Sequence, residues 1–320
     1  MSKQILDIIT QVGVLPVIKI EKLEHALPLA QALRAGGINA IEVTVRSDAA
    51  FYAIRAIAAE YPDMMVGAGT IHNPALAEQA LSAGAKFIVT PGYSVPTVYY
   101  CVEKGVPIVP GCSSASDMEL AVGAGLKVVK FFPAEANGGV AALKLYSGPF
   151  PMLKFVPTGG ITYDNLGDYL KLDCVAACGG SFMAKADTIR NGDWDLITKN
   201  CCKAVDTALG FELAHVGLNH ADGKSALASA AFLDRMFRLG VKDGSASAFC
   251  GKAVEFMKGP YFGKKGHIGF YTNSVARAKA WFERNGIPIR EESIRVEGGK
   301  LVSFYLQDEV DGFAVHVVQR

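Results

Sequence analysis

Neither sign of charge dominates this chain: 32 basic residues stand against 31 acidic ones over 320 positions. There is thus no basic excess to suggest nucleic acid, and no acidic tail. No uncharged apolar run approaches the roughly 18 residues that cross a bilayer. The opening Met1-Ser2-Lys3-Gln4-Ile5-Leu6-Asp7 lacks the apolar stretch of a secretory leader. The expectation is a cytoplasmic protein with neither a nucleic-acid nor a membrane partner. Disulfide and thiolate-metal chemistry are also unsupported. The seven cysteines are scattered, Cys174 and Cys178 are four apart, Cys201 and Cys202 are adjacent, and no Cys-x-x-Cys occurs. Reduced thiols without an assigned role are the default for such spacing.

What is present is a regular beat. Length alone favours two domains. Up to about residue 205, short β-branched runs alternate with amphipathic stretches about 10 to 15 residues long, the mark of repeated β-α units. The runs predict strands at 14–19, 40–46, 65–70, 87–91, 107–111, 128–132, 154–158 and 175–180. Helices are expected between them, for example at 21–35, 48–60, 74–83 and 115–124. Gly36, Gly84, Gly105 and Gly125 stand at expected helix C-terminal positions. Eight β-α units predict an α/β fold, a small (β/α)8 TIM barrel over residues 1–208. An open doubly wound sheet is the competitor, but no Gly-x-Gly-x-x-Gly turn follows the first strand.

One residue inside this pattern is out of place. Lys130 sits in Val128-Val129-Lys130-Phe131-Phe132-Pro133-Ala134-Glu135, mid-way along an apolar strand. Lysine is rarely buried unless it is paired or used. An amine in an apolar wall sheds the hydration of its charged form and becomes a nucleophile for a carbonyl carbon. A lysine at a strand end that snorkels to solvent explains the same segment equally well. The other strand ends bear on the choice, because barrel sites lie at the C-terminal mouth. Glu42, Thr44 and Arg46 alternate onto one side of the second strand, where burial is expensive unless that side lines a wet mouth. Strand three ends Gly67-Ala68-Gly69-Thr70 and strand four Thr90-Pro91-Gly92. Strands seven and eight end in glycine pairs, Gly159-Gly160 and Gly179-Gly180, the usual place for a phosphate held by backbone N–H groups.

The run Lys130-Phe131-Phe132-Pro133-Ala134-Glu135-Ala136-Asn137-Gly138-Gly139, with Ile41-Glu42-Val43-Thr44-Val45-Arg46, Gly67-Ala68-Gly69-Thr70 and Pro157-Thr158-Gly159-Gly160-Ile161, resembles the 2-keto-3-deoxy-6-phosphogluconate and 4-hydroxy-2-oxoglutarate aldolases. The likeness covers residues 1–205. It implies a class I aldolase, a lyase with small 2-oxo acid substrates, commonly a homotrimer and needing no metal. By motif, Lys130 is the implied Schiff-base lysine and Glu42 the general acid/base. Arg46, Thr70 and Pro91 are implied to line the pyruvate half, and Thr158, Gly159, Gly160, Gly180 and Ser181 the phosphate pocket. Phe182 follows Ser181 where many relatives carry Trp, so the wall of that pocket departs from the pattern. A sugar-acid phosphate sensor is the alternative from another class, and it would be marked by loss of the lysine or the glutamate.

After about Leu209 the beat stops. Residues 211–320 contain an echo: Leu213-Ala214-His215-Val216-Gly217-Leu218 matches Lys265-Gly266-His267-Ile268-Gly269-Phe270, and Gly251–Phe256 matches Gly299–Phe304. Helices are expected at Ser225–Leu239 and Ser274–Asn285. Repetition predicts a smaller α+β domain of two βαβββ modules. This arrangement resembles the glyoxalase/vicinal-oxygen-chelate superfamily. The resemblance implies a divalent metal held by His215 and His267 on the first strands, with Glu255 and His316 as partners. In Asp311-Gly312-Phe313-Ala314-Val315-His316 a His replaces the usual Glu. A degenerate module with packed histidines is the alternative, as is a bifunctional chain whose second domain is a metal-dependent enzyme.

Overall fold

The β-branched runs of the first unit become strands buried on both faces, as parallel sheets covered by helices require. In the computed structural model, which describes residues 9–320, they are β1 Val14–Ile18, β2 Ala40–Thr44, β3 Met65–Gly69, β4 Phe87–Val89, β5 Ile108–Val109, β6 Gly111–Cys112, β7 Val128–Phe131, β8 Lys154–Pro157 and β9 Cys178–Gly180. Six pair in the order β5-β4-β3-β2-β1-β9 and three in the order β6-β7-β8. Two links join these sheets. β5 and β6 are one stretch of chain interrupted at Pro110, which has no N–H for the ladder. Single parallel bridges, Phe155↔Val175 and Thr158↔Gly179, tie the β8 and β9 segments together. The result is a TIM-barrel-like α/β arrangement of parallel staves. Leu15, Ala40, Met65, Phe87, Val109, Val128, Val156 and Ala176 meet in its buried interior.

Three local expectations change. The strand expected at 107–111 is split by Pro110, and the one at 175–180 shortens to β9. The helix expected at 21–35 starts as a 3-10 turn, Leu23–His25, before the α-helix Ala26–Ala35. Gly84, Gly105 and Gly125 take the left-handed conformation, but Gly36 does not, and Gly37 takes it instead. Gly36 answers a different need. A Cβ there would lie 2.2 Å from the Cys201 Cβ.

The chain divides into two units, Met1–Ala208 and Leu209–Arg320. In the second, β10 Glu212–Asn219, a helix Gly223–Phe237, β11 Val241–Asp243, β12 Ser247–Cys250 and β13 Val254–Met257 form one βαβββ module. β14 Gly266–Thr272, a helix Val275–Arg284, β15 Ile289–Glu297, β16 Lys300–Val310 and β17 Phe313–Gln319 form the other. They share one eight-stranded sheet in the order β11-β12-β13-β10-β14-β17-β16-β15. The first echo marks equivalent strands, since β10 and β14 meet antiparallel at the centre with His215 opposite Gly269 and Gly217 opposite His267. The second echo does not. Gly251–Phe256 leads into β13, the last strand of its module, whereas Gly299–Phe304 leads into β16, the third of its own. The parallel pairs β10–β13 and β14–β17 set the true correspondence, with Gly217 beside Glu255 and Gly269 beside His316. Register, not local likeness, decides which residues are equivalent. Among the described residues no helix is long and apolar enough to cross a membrane.

Candidate functional site

Lys130 does not snorkel. It lies on β7 between Gly111 and Val156, 6 % exposed, and its Nζ donates to Glu42 Oε1 at 3.2 Å. Glu42, on β2, is 1 % exposed. Burial of both charges is tolerable because each answers the other. Gly69 makes the room: a Cβ there would sit 2.1 Å from Glu42 Oε1. The Lys130 Nζ also stands 5.2 Å from the centre of the Phe132 ring.

Phe132 leads from this pair to a cavity of about 350 Å³ that it lines together with Lys19, Arg46, Thr158, Gly159, Gly160, Gly180 and Ser181. Arg46 is not on the strand, as alternation had suggested. β2 ends at Thr44, and exposed Arg46 hooks back so that its Nε donates to Thr44 Oγ1 at 3.2 Å. Thr70 and Pro91 are not among the residues lining this cavity. Thr70 follows β3 with a φ of 62°, a strained value for a β-branched residue. Gly111 admits the Pro91 carbonyl, which would be 2.1 Å from a Cβ there.

Sequence reasoning passed over Lys19, the cation at the end of β1. Its Nζ pairs with Glu21 at 2.9 Å, and its neighbours in sequence give no sign that it borders the glycine pairs. Reasoning also missed the support behind Gly160. The Tyr169 hydroxyl donates to Glu135 Oε1, and the Glu135 Cγ lies 2.4 Å from where a Gly160 Cβ would project. The Glu135 N–H donates to the Gly159 carbonyl at 3.1 Å. Burial and the Glu135 carboxylate raise the Tyr169 hydroxyl, so it stays a donor.

A family model described as KDPG and KHG aldolase matches residues 5–200. The chain belongs to this family. The KHG/KDPG aldolase of Escherichia coli K12 is 48% identical over 202 residues, covering 63% of this chain and 95% of the relative. The 2-dehydro-3-deoxy-phosphogluconate aldolase of Dickeya dadantii is 48% identical over 199 residues, 62% and 93% of the two chains. The KDPG aldolase of Legionella pneumophila, solved with pyruvate captured as a covalent carbinolamine, superposes with a TM-score of 0.62 at 41% identity, covering 63% of this chain and 98% of that one. This member of the KDPG and KHG aldolase family is a class I aldolase, a carbon–carbon lyase.

The matched family residues end before the second unit, where a different cluster stands. The imidazoles of His215, His267 and His316 converge with ligating atoms within 4.8 Å of one another. His215 Nε2 is 3.0 Å from His267 Nε2 and 3.2 Å from His316 Nε2. Glu255 Oε2 lies 3.0 Å from His267 Nε2 and 3.3 Å from His215 Nε2. Ser247 Oγ donates to Glu255 Oε1 at 2.5 Å. Burial would raise the Glu255 carboxyl, but hydrogen bonds from His215, His267 and Ser247 outweigh it and hold the group well below the usual range. Burial, with His267 and His215 alongside, pushes His316 down to about 3, so its imidazole is neutral near pH 7. The Tyr305 ring stacks on His316 at 4.7 Å between centroids, and Phe249 meets His215 edge-on at 5.7 Å.

Glycines shape this cluster too. A Cβ at Gly217 would lie 2.1 Å from the His267 ring, and one at Gly269 2.5 Å from His316 Nε2. The signal was legible as His-x-Gly in both first strands.

Proposed function

We propose that Lys130 is the Schiff-base nucleophile and Glu42 the general acid/base. The substrates proposed are 2-keto-3-deoxy-6-phosphogluconate, giving pyruvate and glyceraldehyde 3-phosphate, and 4-hydroxy-2-oxoglutarate, giving pyruvate and glyoxylate. The observation that carries the assignment is the buried 3.2 Å contact between the two side chains. Glu42 takes a proton from the ammonium, and the freed amine adds to the C2 carbonyl. Glu42 returns that proton to the departing hydroxyl, and loss of water leaves an iminium. Glu42 then accepts the C4 hydroxyl proton as the C3–C4 bond breaks and its electron pair enters the iminium, releasing the aldehyde. Protonation of the enamine at C3 and hydrolysis release pyruvate and restore the amine.

Arg46 pairs with the substrate carboxylate, with Thr70 and Pro91 along the pyruvate half. Thr158, Gly159, Gly160, Gly180 and Ser181 receive the phosphate, and Lys19 adds a positive charge at the same cavity. Borohydride in the presence of pyruvate inactivates the protein and leaves a three-carbon adduct on Lys130. An unlabelled, fully active protein would overturn the assignment. The family likeness further supports a cytoplasmic homotrimer as the working assembly, which sedimentation of the full chain tests.

For the second unit we infer a domain over residues 211–320 akin to the glyoxalase/vicinal-oxygen-chelate superfamily, with a divalent metal held by His215, His267 and His316 and with Glu255 as a further donor. Its supports are the convergent donors and the two glycines that give them space. Neighbouring donors about 2.0–2.1 Å from an ion stand roughly 3–3.4 Å apart, and His215 Nε2 lies 3.0 Å from His267 Nε2 and 3.2 Å from His316 Nε2. Such an ion supplies Lewis-acid polarisation of an oxygen ligand. Stoichiometric zinc, manganese, iron or nickel in the purified chain, with loss of stability under chelator, is the expected result. Absence of metal with unchanged stability removes this assignment.

A further inference from the structure

Resting on the metal assignment above, we propose that the centre of the second unit takes a small monoanionic carboxylate, of the kind the barrel is proposed to release, as its exogenous ligand. The ground is a charge left unbalanced by one residue. Equivalent positions beside Gly217 and Gly269 hold Glu255 on β13 but His316 on β17. Carboxylates at both positions would cancel a divalent ion. Three imidazoles and one carboxylate leave one positive charge over.

Among the described residues, no second carboxylate pairs with the cluster. The carboxylate paired with the histidines is Glu255, 3.0 Å from His267 Nε2 and 3.3 Å from His215 Nε2. The flanking side chains are the rings of Phe249 and Tyr305 and the hydroxyl of Ser247, which is occupied by Glu255. Arg295, whose charge reaches Tyr305, is itself positive, exposed and paired with Glu297. His267 and His316 are 2 % and 8 % exposed, so water screens the excess charge poorly. A bound monoanion balances the site, a neutral ligand leaves it charged, and a dianion overshoots. Entry falls on the side of His215 and Glu255, whose side chains are each 13% exposed.

The full chain carrying Lys130→Ala, which removes pyruvate capture in the barrel, is loaded with Co(II) and titrated with pyruvate and, separately, with hydroxyacetone, its uncharged analogue. The visible cobalt bands should shift with pyruvate and stay still with hydroxyacetone. His316→Glu in the same background should keep cobalt and bind pyruvate at least about tenfold more weakly. Equal responses to the two compounds, bands that move with pH but ignore pyruvate, or undiminished pyruvate binding in the His316→Glu chain would each overturn the proposal. Failure to take up cobalt at all would instead overturn the metal assignment beneath it.

Discussion

Lys130 Nζ and Glu42 Oε1 lie 3.2 Å apart, although 88 residues separate them in sequence. They project from β7 and β2, strands of different ladders, and no local pattern could have paired them. Each of these buried groups is the hydrogen-bond partner of the other, and the proposed proton transfers depend on that contact.

Removing either partner exposes that dependence. Lys130→Ala abolishes cleavage and borohydride trapping. It also leaves Glu42 buried and unpaired, at a cost of about 3–5 kcal/mol if the carboxylate stays charged. Glu42→Gln keeps the shape but not the base, so turnover falls by about 10²–10⁴ while some trapping remains. Steady-state cleavage, denaturant titration and mass spectrometry of the reduced adduct check these outcomes.

Gly69→Ala tests the space around Glu42 while leaving both side chains of the proposed pair unsubstituted. The added methyl would stand 2.1 Å from Glu42 Oε1, so the carboxylate must move. A displacement near an ångström costs about 10² in turnover. Cleavage at wild-type rate would show that Glu42 has no need of its present position.

Tyr169→Phe removes the donor that holds Glu135 behind Gly160. The expected loss of stability is about 1 kcal/mol or somewhat more. If Thr158, Gly159 and Gly160 bind phosphate as proposed, KM rises for the phosphorylated substrate and not for 4-hydroxy-2-oxoglutarate. Pyruvate trapping at Lys130 is unchanged. Equal KM effects on both substrates would place the role of Tyr169 elsewhere.

The second unit should weaken in mild acid. His316 is held at about 3 in the folded chain against an ordinary 6.5. Between those values the unfolded chain binds a proton that the folded chain does not, so stability is present above 6.5 and is lost as pH falls towards 3. The slope approaches about 1.4 kcal/mol per pH unit. Glu255, also held low, extends the loss in the same direction at lower pH. Guanidinium unfolding of the metal-free chain, followed by Trp281 fluorescence in a Trp194→Phe background, should show a falling midpoint from pH 7 to pH 5. His316→Asn should flatten that profile.

Much of the site was legible because chemistry leaves unusual residues in usual places. Lys130 stood out against its apolar strand, and the glycine pairs after strands seven and eight marked a pocket before any contact was known. Lys19 and Tyr305 carried no such mark, being ordinary residues whose role depends on what packs beside them. The second echo in residues 211–320 misled for a related reason: Gly251–Phe256 and Gly299–Phe304 look alike but serve different strands of their modules.

From its own pattern the chain determined the β-α beat, the repeated modules, and the residues with reactive side chains. Those follow from burial and backbone periodicity, which act over a few residues. Tertiary structure alone decided that Lys130 turns inward onto Glu42 rather than out to water, and that histidines on β10, β14 and β17 share one centre. Strand order and register bring such residues together, and a slip of one position would have turned each side chain to the opposite face.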